Sequence, residues 1–259
     1  LRVKDPFSAL QFLLSSASRS HNDRKADRPP AAAPQQSGGN SSEDARPDGR
    51  TENKKMCNLY KMSKSADEVA DFFSAIAQDM HVVPGNAPEE IYPGYPGLVL
   101  AEGQVQQMTW GFPLARKGAK GQPLKPKPVN NARSDKLGSP FWSASFRDRR
   151  CLVPVSEFAE ARGPKGGKTR TWFSLADAPM MAVAGFWRDT EEWGPAFTMV
   201  MTEANEAVRP LHDRMPVILA PDNWQTYLDI DPQAAFELCR PYAGSMHVNH
   251  TDTPWLGRR

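Results

Sequence analysis

Apolar residues recur at helical spacing after Ser65, at Val69, Phe72, Phe73, Ile76 and Met80. Ser65-Ala66-Asp67-Glu68 just ahead of them has the form of a capping box. In that motif a hydroxyl and a carboxylate each satisfy a backbone N–H left free at a helix start, so an amphipathic helix packed on a core is expected here. Downstream the pattern changes to short β-type runs over 98–101, 104–110, 151–155, 171–175, 180–187, 197–202 and 216–219. Two short helices are expected over 222–228 and 232–239. The Pro/Gly segment around Tyr92 to Gly97 reads as loop, as does the Lys/Pro/Gly stretch that leads into Val129, and the tail after Tyr242 reads as irregular. Strands outnumber helices and do not alternate with them. The expectation is therefore a single α+β domain over 56–255, with a mainly antiparallel, partly barrel-like sheet and short flanking helices.

Residues 1–55 break from this pattern. They hold no Met, Cys, Trp or Tyr, and from Ser15 they are rich in Ser, Pro, Ala, Asn and charge. That composition predicts a disordered leader, particularly over 28–55. The short apolar patch 7–14, behind Arg2 and Lys4, leaves a signal or transit segment as an alternative. The first methionine is Met56, and the reading preferred here is that Met56 is the initiator, with 1–55 outside the mature protein.

Composition changes the picture little. A net charge of +2 does not mark a polyanion binder, so such a role would need a local patch. Arg116, Lys117, Lys120, Lys125 and Lys127 supply one candidate, although a charge run is commonly just a solvated face. The three cysteines, Cys57, Cys151 and Cys239, are odd in number and widely spaced, which points away from a disulfide framework or a zinc site and toward a reducing cytoplasm. No apolar run approaches the ~20 residues that span a bilayer. No cofactor is implied, and without a heptad run a monomer is expected.

The chemistry begins at Met56-Cys57-Asn58-Leu59-Tyr60. Removal of an initiator Met before a small residue would leave Cys57 with a free α-amine beside its thiol. Such a 1,2-aminothiol condenses with an aldehyde, the amine giving a Schiff base and the thiol closing a thiazolidine ring. Reference values of about 8 for the amine and about 8.5 for the thiol keep reactive forms within reach near neutral pH. A buried apolar cysteine is the plainer alternative.

Three further clusters matter. They are Val129-Asn130-Asn131-Ala132-Arg133-Ser134-Asp135, Cys151-Leu152-Val153-Pro154-Val155-Ser156-Glu157-Phe158-Ala159-Glu160 and Leu211-His212-Asp213-Arg214-Met215-Pro216. With Cys57, in this order, and with Trp110-Gly111-Phe112-Pro113 and the 198–205 segment also fitting, they resemble the SOS response-associated peptidase (SRAP) family of abasic-site processing proteins. The resemblance runs from Met56 to about Ala220. It implies a catalytic Cys57, with Asn131, Glu160 and His212 completing the site and Arg133 and Arg214 on DNA phosphates. Asn131 would hold the amino terminus of Cys57, and Glu160 would shuttle protons, which asks for a raised carboxyl pKa. His212 would assist at the sugar oxygen. Glu157 is a rival for Glu160. His81, His247 and His250 lack a matching context. Trp110, Phe112 and Tyr95 are candidates for stacking on bases, with a core role for Trp110 as the alternative. Lys125 and Lys127 would line the strand's path.

The chain also departs from the family pattern. Cys57-Asn58-Leu59 replaces Cys-Gly-Arg, and Ser156–Ala161 lacks the usual Tyr and Trp. The resemblance implies covalent capture of abasic sites in single-stranded DNA, with strand cleavage through the Schiff base as a side path. A thiol peptidase using Cys57 with His212 as base, and a non-catalytic nucleic-acid-binding module, are the competing readings.

Overall fold

The structure is a computed structural model that describes residues 57–76, 81–82 and 87–255, all within a compact unit spanning 55–259. The leader expected over 1–55 lies outside the described residues, as does Met80. The chain enters through β1 (Tyr60–Lys61) and α1 (Ala66–Phe73), then β2 (His81–Val82) and β3 (Glu90–Ile91). A hairpin of β4 (Pro96–Ala101) and β5 (Gln104–Trp110) follows, then a ribbon of β6 (Phe112–Lys117) and β7 (Pro123–Val129). Next come β8 (Asn131–Arg133), α2 (Ser143–Asp148), β9 (Arg150–Val155), β10 (Glu157–Arg162) and β11 (Thr169–Leu175). The second half holds β12 (Met181–Thr190), β13 (Gly194–Glu203), β14 (Arg214–Pro216) and β15 (Ile218–Leu219). It ends with α3 (Trp224–Leu228), α4 (Pro232–Glu237) and β16 (Met246–Pro254).

Five strands close a ring. β4, β5, β13, β12 and β9 pair in turn, and β9 pairs back to β4. Every step is antiparallel except β5 to β13, where Thr109 and Trp110 run parallel to Ala196 and Phe197. That one parallel contact removes the edges of the sheet. Closure also explains why all six residues of β9 are buried, since a barrel strand has one face in the lumen and the other against neighbouring elements. The β4–β5 turn is set locally: Glu102 (φ 51°) and Gly103 (φ 73°) supply the two positive φ angles of the tight hairpin turn that matches strand twist.

A second, wholly antiparallel sheet runs β16, β11, β10, β1, β3. Phe158 and Phe173 stack across it at 5.1 Å. On its other face Leu59, Ala159 and Trp172 form a small core under Tyr92 and Trp255. Fully buried rings such as Tyr60, Trp110, Phe158, Phe173, Phe186 and Phe197 supply much of the stability, at about 1.5–3 kcal/mol for each large side chain removed from water.

The capping box forms as the sequence predicts. Glu68 N–H donates to Ser65 Oγ at 3.2 Å, and Ser65 N–H donates to Glu68 Oε2 at 2.8 Å. Helix α1 stops at Phe73, so Ile76 lies in the following turn. Phe72 and Phe73 pack on Trp224, joining the start of the domain to α3.

Two expectations are corrected. The Lys/Pro/Gly stretch is a two-stranded ribbon rather than a loop, because β6 and β7 satisfy one another's backbone despite three prolines in β7. The tail after Tyr242 is not irregular: β16 pairs with β11 from Met246 to Pro254, and as an edge strand it does not need an apolar repeat.

Candidate active site

Cys57 lies just before β1, and β1 is clamped between β10 and β3. The side chain is completely buried, and the thiol donates to Leu59 O at 3.6 Å. Burial pushes the thiol pKa well up, and the Glu160 charge pushes it further, while backbone hydrogen bonding at Leu59 and Ala159 works the other way. Sulfur is therefore held in its neutral form. The carbonyl of Cys57 accepts from two side-chain amides, Asn131 Nδ2 at 2.6 Å and Asn130 Nδ2 at 3.1 Å. A carbonyl has two lone pairs, and both are used. The Asn131 Oδ1 is buried and has no hydrogen-bond partner among the described residues.

Glu160 sits inside β10 and is 3% exposed. Only Ser156 separates β9 from β10, so the chain passes from barrel to second sheet and carries the carboxylate to the Cys57 side. Its rival Glu157 is half-buried and pairs with Lys61 at 3.2 Å.

Strand β13 brings the other two motifs together. Its end is bordered by β8 on one edge, Met199 to Met201 facing Asn131 to Arg133. On the other edge lies β14, with Met201, Thr202 and Glu203 facing Pro216, Met215 and Arg214. Side chains alternate along a strand and paired residues share a face, so Asn131, Arg133 and Arg214 point to one side. Arg133 makes a two-pronged contact with Asp135 at 2.9 and 2.7 Å. This hydrogen bonding raises the Arg133 pKa, and the Asp213 charge adds to it. Partial burial works against the Asp135 charge, yet the hydrogen bond from Arg133 and the charges of Arg133, Lys136 and Arg214 hold that carboxyl below the usual range.

His212 is 3% exposed on the loop entering β14. Its Nδ1 accepts from the Arg214 N–H at 2.9 Å, which leaves the proton of the neutral ring on Nε2. That Nε2 is buried with no hydrogen-bond partner among the described residues, a donor available to a ligand oxygen.

The basic patch is exposed throughout. Arg116, Lys117, Lys120, Lys125 and Lys127 all lie on the β6–β7 ribbon, which carries no acidic residue from Phe112 to Val129. Gly111 lets the chain leave the barrel there: its φ is 112°, and a Cβ would sit 2.7 Å from Pro128 Cβ. The expectation that Trp110 and Phe112 stack on bases is corrected, because both are fully buried and offer no face to a ligand. Trp110 instead supports the site. Its indole N–H donates to Asn130 O at 3.0 Å, and Tyr60 packs edge-on against it at 4.9 Å. Tyr95, 46% exposed, retains an accessible ring. Asn130 is the residue that sequence reasoning passed over, although the Asn130-Asn131 doublet was visible. Among the described residues no helix is long and apolar enough to cross a membrane.

The site is thus a closed barrel with an appended sheet that holds a buried cysteine under two amides and beside a carboxylate. The model of one family, SOS response associated peptidase (SRAP), matches residues 56–253. The chain belongs to that family. It is 27% identical over 207 residues to the abasic site processing protein YoqW of Bacillus subtilis, covering 72% of this chain and 88% of that one. With the abasic site processing protein YMR114C of Saccharomyces cerevisiae it shares 30% over 132 residues, or 49% of this chain and 35% of that one. The fold matches a crystal structure of a Bordetella bronchiseptica protein with a TM-score of 0.63 at 22% identity, over 75% of this chain and 99% of that one. A Bacteroides thetaiotaomicron protein matches with a TM-score of 0.58 at 19% identity, over 75% and 91%.

Proposed function

We propose that this protein captures abasic sites in single-stranded DNA covalently, through the α-amine and thiol of Cys57 in a mature chain that begins at that residue. The observation that carries this reading is the grip on Cys57. Asn131 holds its carbonyl through Nδ2 while keeping Oδ1 buried and unpartnered, which suits an acceptor for the α-amine of the same residue. The family match beginning at Met56 and the relatives named for abasic site processing support it.

The chemistry balances within the site. The Cys57 amine adds to the aldehyde carbon of the ring-opened sugar, forming a C–N bond and a carbinolamine. Glu160 gives a proton to the carbinolamine hydroxyl, which leaves as water, and an iminium remains. The thiol sulfur then adds to the iminium carbon and its proton passes to Glu160, so the carboxyl ends as it began. His212 Nε2–H donates to the open-chain sugar oxygen. Arg133, Arg214, Lys125 and Lys127 hold phosphates of the strand. The iminium also permits β-elimination, which gives a minor strand-cleaving path. A buried neutral thiol is a poor first nucleophile for an amide, which weighs against the peptidase reading.

The test compares protein beginning at Cys57 with protein retaining the residues before it, each incubated with single-stranded DNA carrying one abasic site and resolved under denaturing conditions. An adduct is expected from the first and none from the second, whose Cys57 nitrogen is an amide. Cys57→Ala should give none. Unmodified DNA with the free-amine protein overturns the proposal.

A further inference from the structure

We propose that the turn between β10 and β11 is a second phosphate-contacting surface for the single strand, separate from the β6–β7 ribbon, with Arg162, Lys165 and Lys168 as its contacts. The inference rests on the DNA reading above and deepens it. Strands β1 and β10 run antiparallel with Tyr60 opposite Phe158, and Ala159 N–H donates to Leu59 O at 3.0 Å. Following the chain backwards from Tyr60 to Cys57 therefore follows β10 forwards from Phe158, so Cys57 lies toward the end of β10 where the turn begins. Alternation along the strand puts Arg162 on the same face as Glu160, about 7 Å further along.

Charge sets this turn apart. Residues 161–176 hold four cationic side chains and no acidic one. Arg170 is paired with Glu90 at 2.7 Å, but the side chains of Arg162, Lys165 and Lys168 make no ion pair or hydrogen bond among the described residues. Arg162 and Lys165 are exposed and Lys168 is half-buried. Elsewhere Lys61, Lys64 and Arg149 face carboxylates, and Arg150 and Arg240 donate to backbone carbonyls. Three like charges between 162 and 168 repel one another, and a turn needed only as a connection would be more stable with an acid among them. The phosphates of a strand supply that missing negative charge. The turn is also held in place. Arg162 pairs with Thr169, Gly167 N–H donates to Pro164 O at 3.1 Å, and Trp255 N–H donates to Lys168 O at 2.8 Å. Cations presented from a fixed base lose less freedom when they meet a phosphate.

The experiment uses protein beginning at Cys57 and measures binding to a single strand carrying the unreactive tetrahydrofuran analogue, over a series of salt concentrations. Arg162→Gln, Lys165→Gln and Lys168→Gln combined are expected to flatten the log–log salt dependence by about 2, or ~0.7 per lost phosphate contact. Lys64→Gln, Arg149→Gln and Arg240→Gln combined remove the same charge elsewhere on the surface and should leave the slope nearly unchanged. Crosslinking at saturating abasic strand should keep its rate in the turn variant, because no turn residue touches a reacting atom. An unchanged slope in the turn variant overturns the inference, and so does equal flattening in both variants, which would mark net charge rather than contact. If the unsubstituted protein binds the strand without crosslinking, the covalent reading fails and the slopes still decide this one; if it does not bind at all, both fall.

Discussion

Removing the amides that hold Cys57 gives a test whose size can be worked from the geometry. Asn131 Nδ2 and Asn130 Nδ2 donate to one buried carbonyl at 2.6 and 3.1 Å. A single hydrogen bond contributes about 0.5–1.5 kcal/mol net, whereas a buried polar group left with no partner costs about 1–3 kcal/mol. In Asn131→Ala the carbonyl keeps Asn130, and the substitution also removes an unpartnered Oδ1, so the cost falls near the low end, about 0.5–1 kcal/mol. Asn130→Ala should cost about 1 kcal/mol, since its weaker contact to Asn58 Oδ1 at 3.4 Å goes too. In the double variant the carbonyl has neither amide, and the desolvation penalty appears in full. The double variant should therefore be worse than the sum of the singles by about 1 kcal/mol. Urea unfolding of the three variants and the parent reads this directly. For a domain of this size each kcal/mol also moves Tm by about 2–4 °C. Additivity within about 0.5 kcal/mol would refute the shared-acceptor argument.

Three more outcomes are expected. Lys125→Gln with Lys127→Gln should weaken binding to single-stranded DNA and flatten the log–log salt dependence by about 1.4, or ~0.7 per lost phosphate contact; an unchanged slope would mean that the ribbon does not meet the strand. The thiol pKa of Cys57 is raised, so little thiolate exists at pH 8 and the thiolate fraction grows only as pH climbs well beyond that of an ordinary cysteine. Alkylation of the folded protein by iodoacetamide at pH 8 should therefore be far slower at Cys57 than in an unfolded control, and equal rates would contradict the burial argument. Gly111→Ala combines a backbone angle of φ 112° with a Cβ 2.7 Å from Pro128, and thermal unfolding should report a loss of about 2 kcal/mol or more, larger than at Gly121, where φ is also positive at 78° but a Cβ meets nothing within 4 Å.

What could be read from the sequence was mostly local. The Ser65–Glu68 cap, the short β-type runs of β4 and β5 and the apolar run of β9 are each decided by residues a few positions apart. A partly barrel-like sheet was expected, but the pairs that close it were not legible, because closure hangs on two residue pairs joining 109–110 to 196–197 across a long separation. The final strand was missed because Met246–Pro254 is polar along most of its exposed length. The ribbon was missed because Pro and Lys, the residues that punctuate β7, read as loop. Glu160 was singled out from motif order alone; its place mid-strand is a matter of pairing with Thr171, and its charge acts on the Cys57 thiol. Trp110 was ambiguous for a physical reason. An aromatic ending a strand gives no sign of which side the barrel lies on, and only the packed structure shows its indole N–H spent on Asn130.

The ribbon carries one last consequence. Two strands that pair with no third among the described residues invite a stray chain to dock alongside and seed self-association. Three of the seven residues in β7 are prolines, which have no amide hydrogen to offer, and two of the remaining four are lysines that repel another copy. A concentrated solution of the protein should thus stay dispersed, because the ribbon offers a second copy few free amides and a like charge.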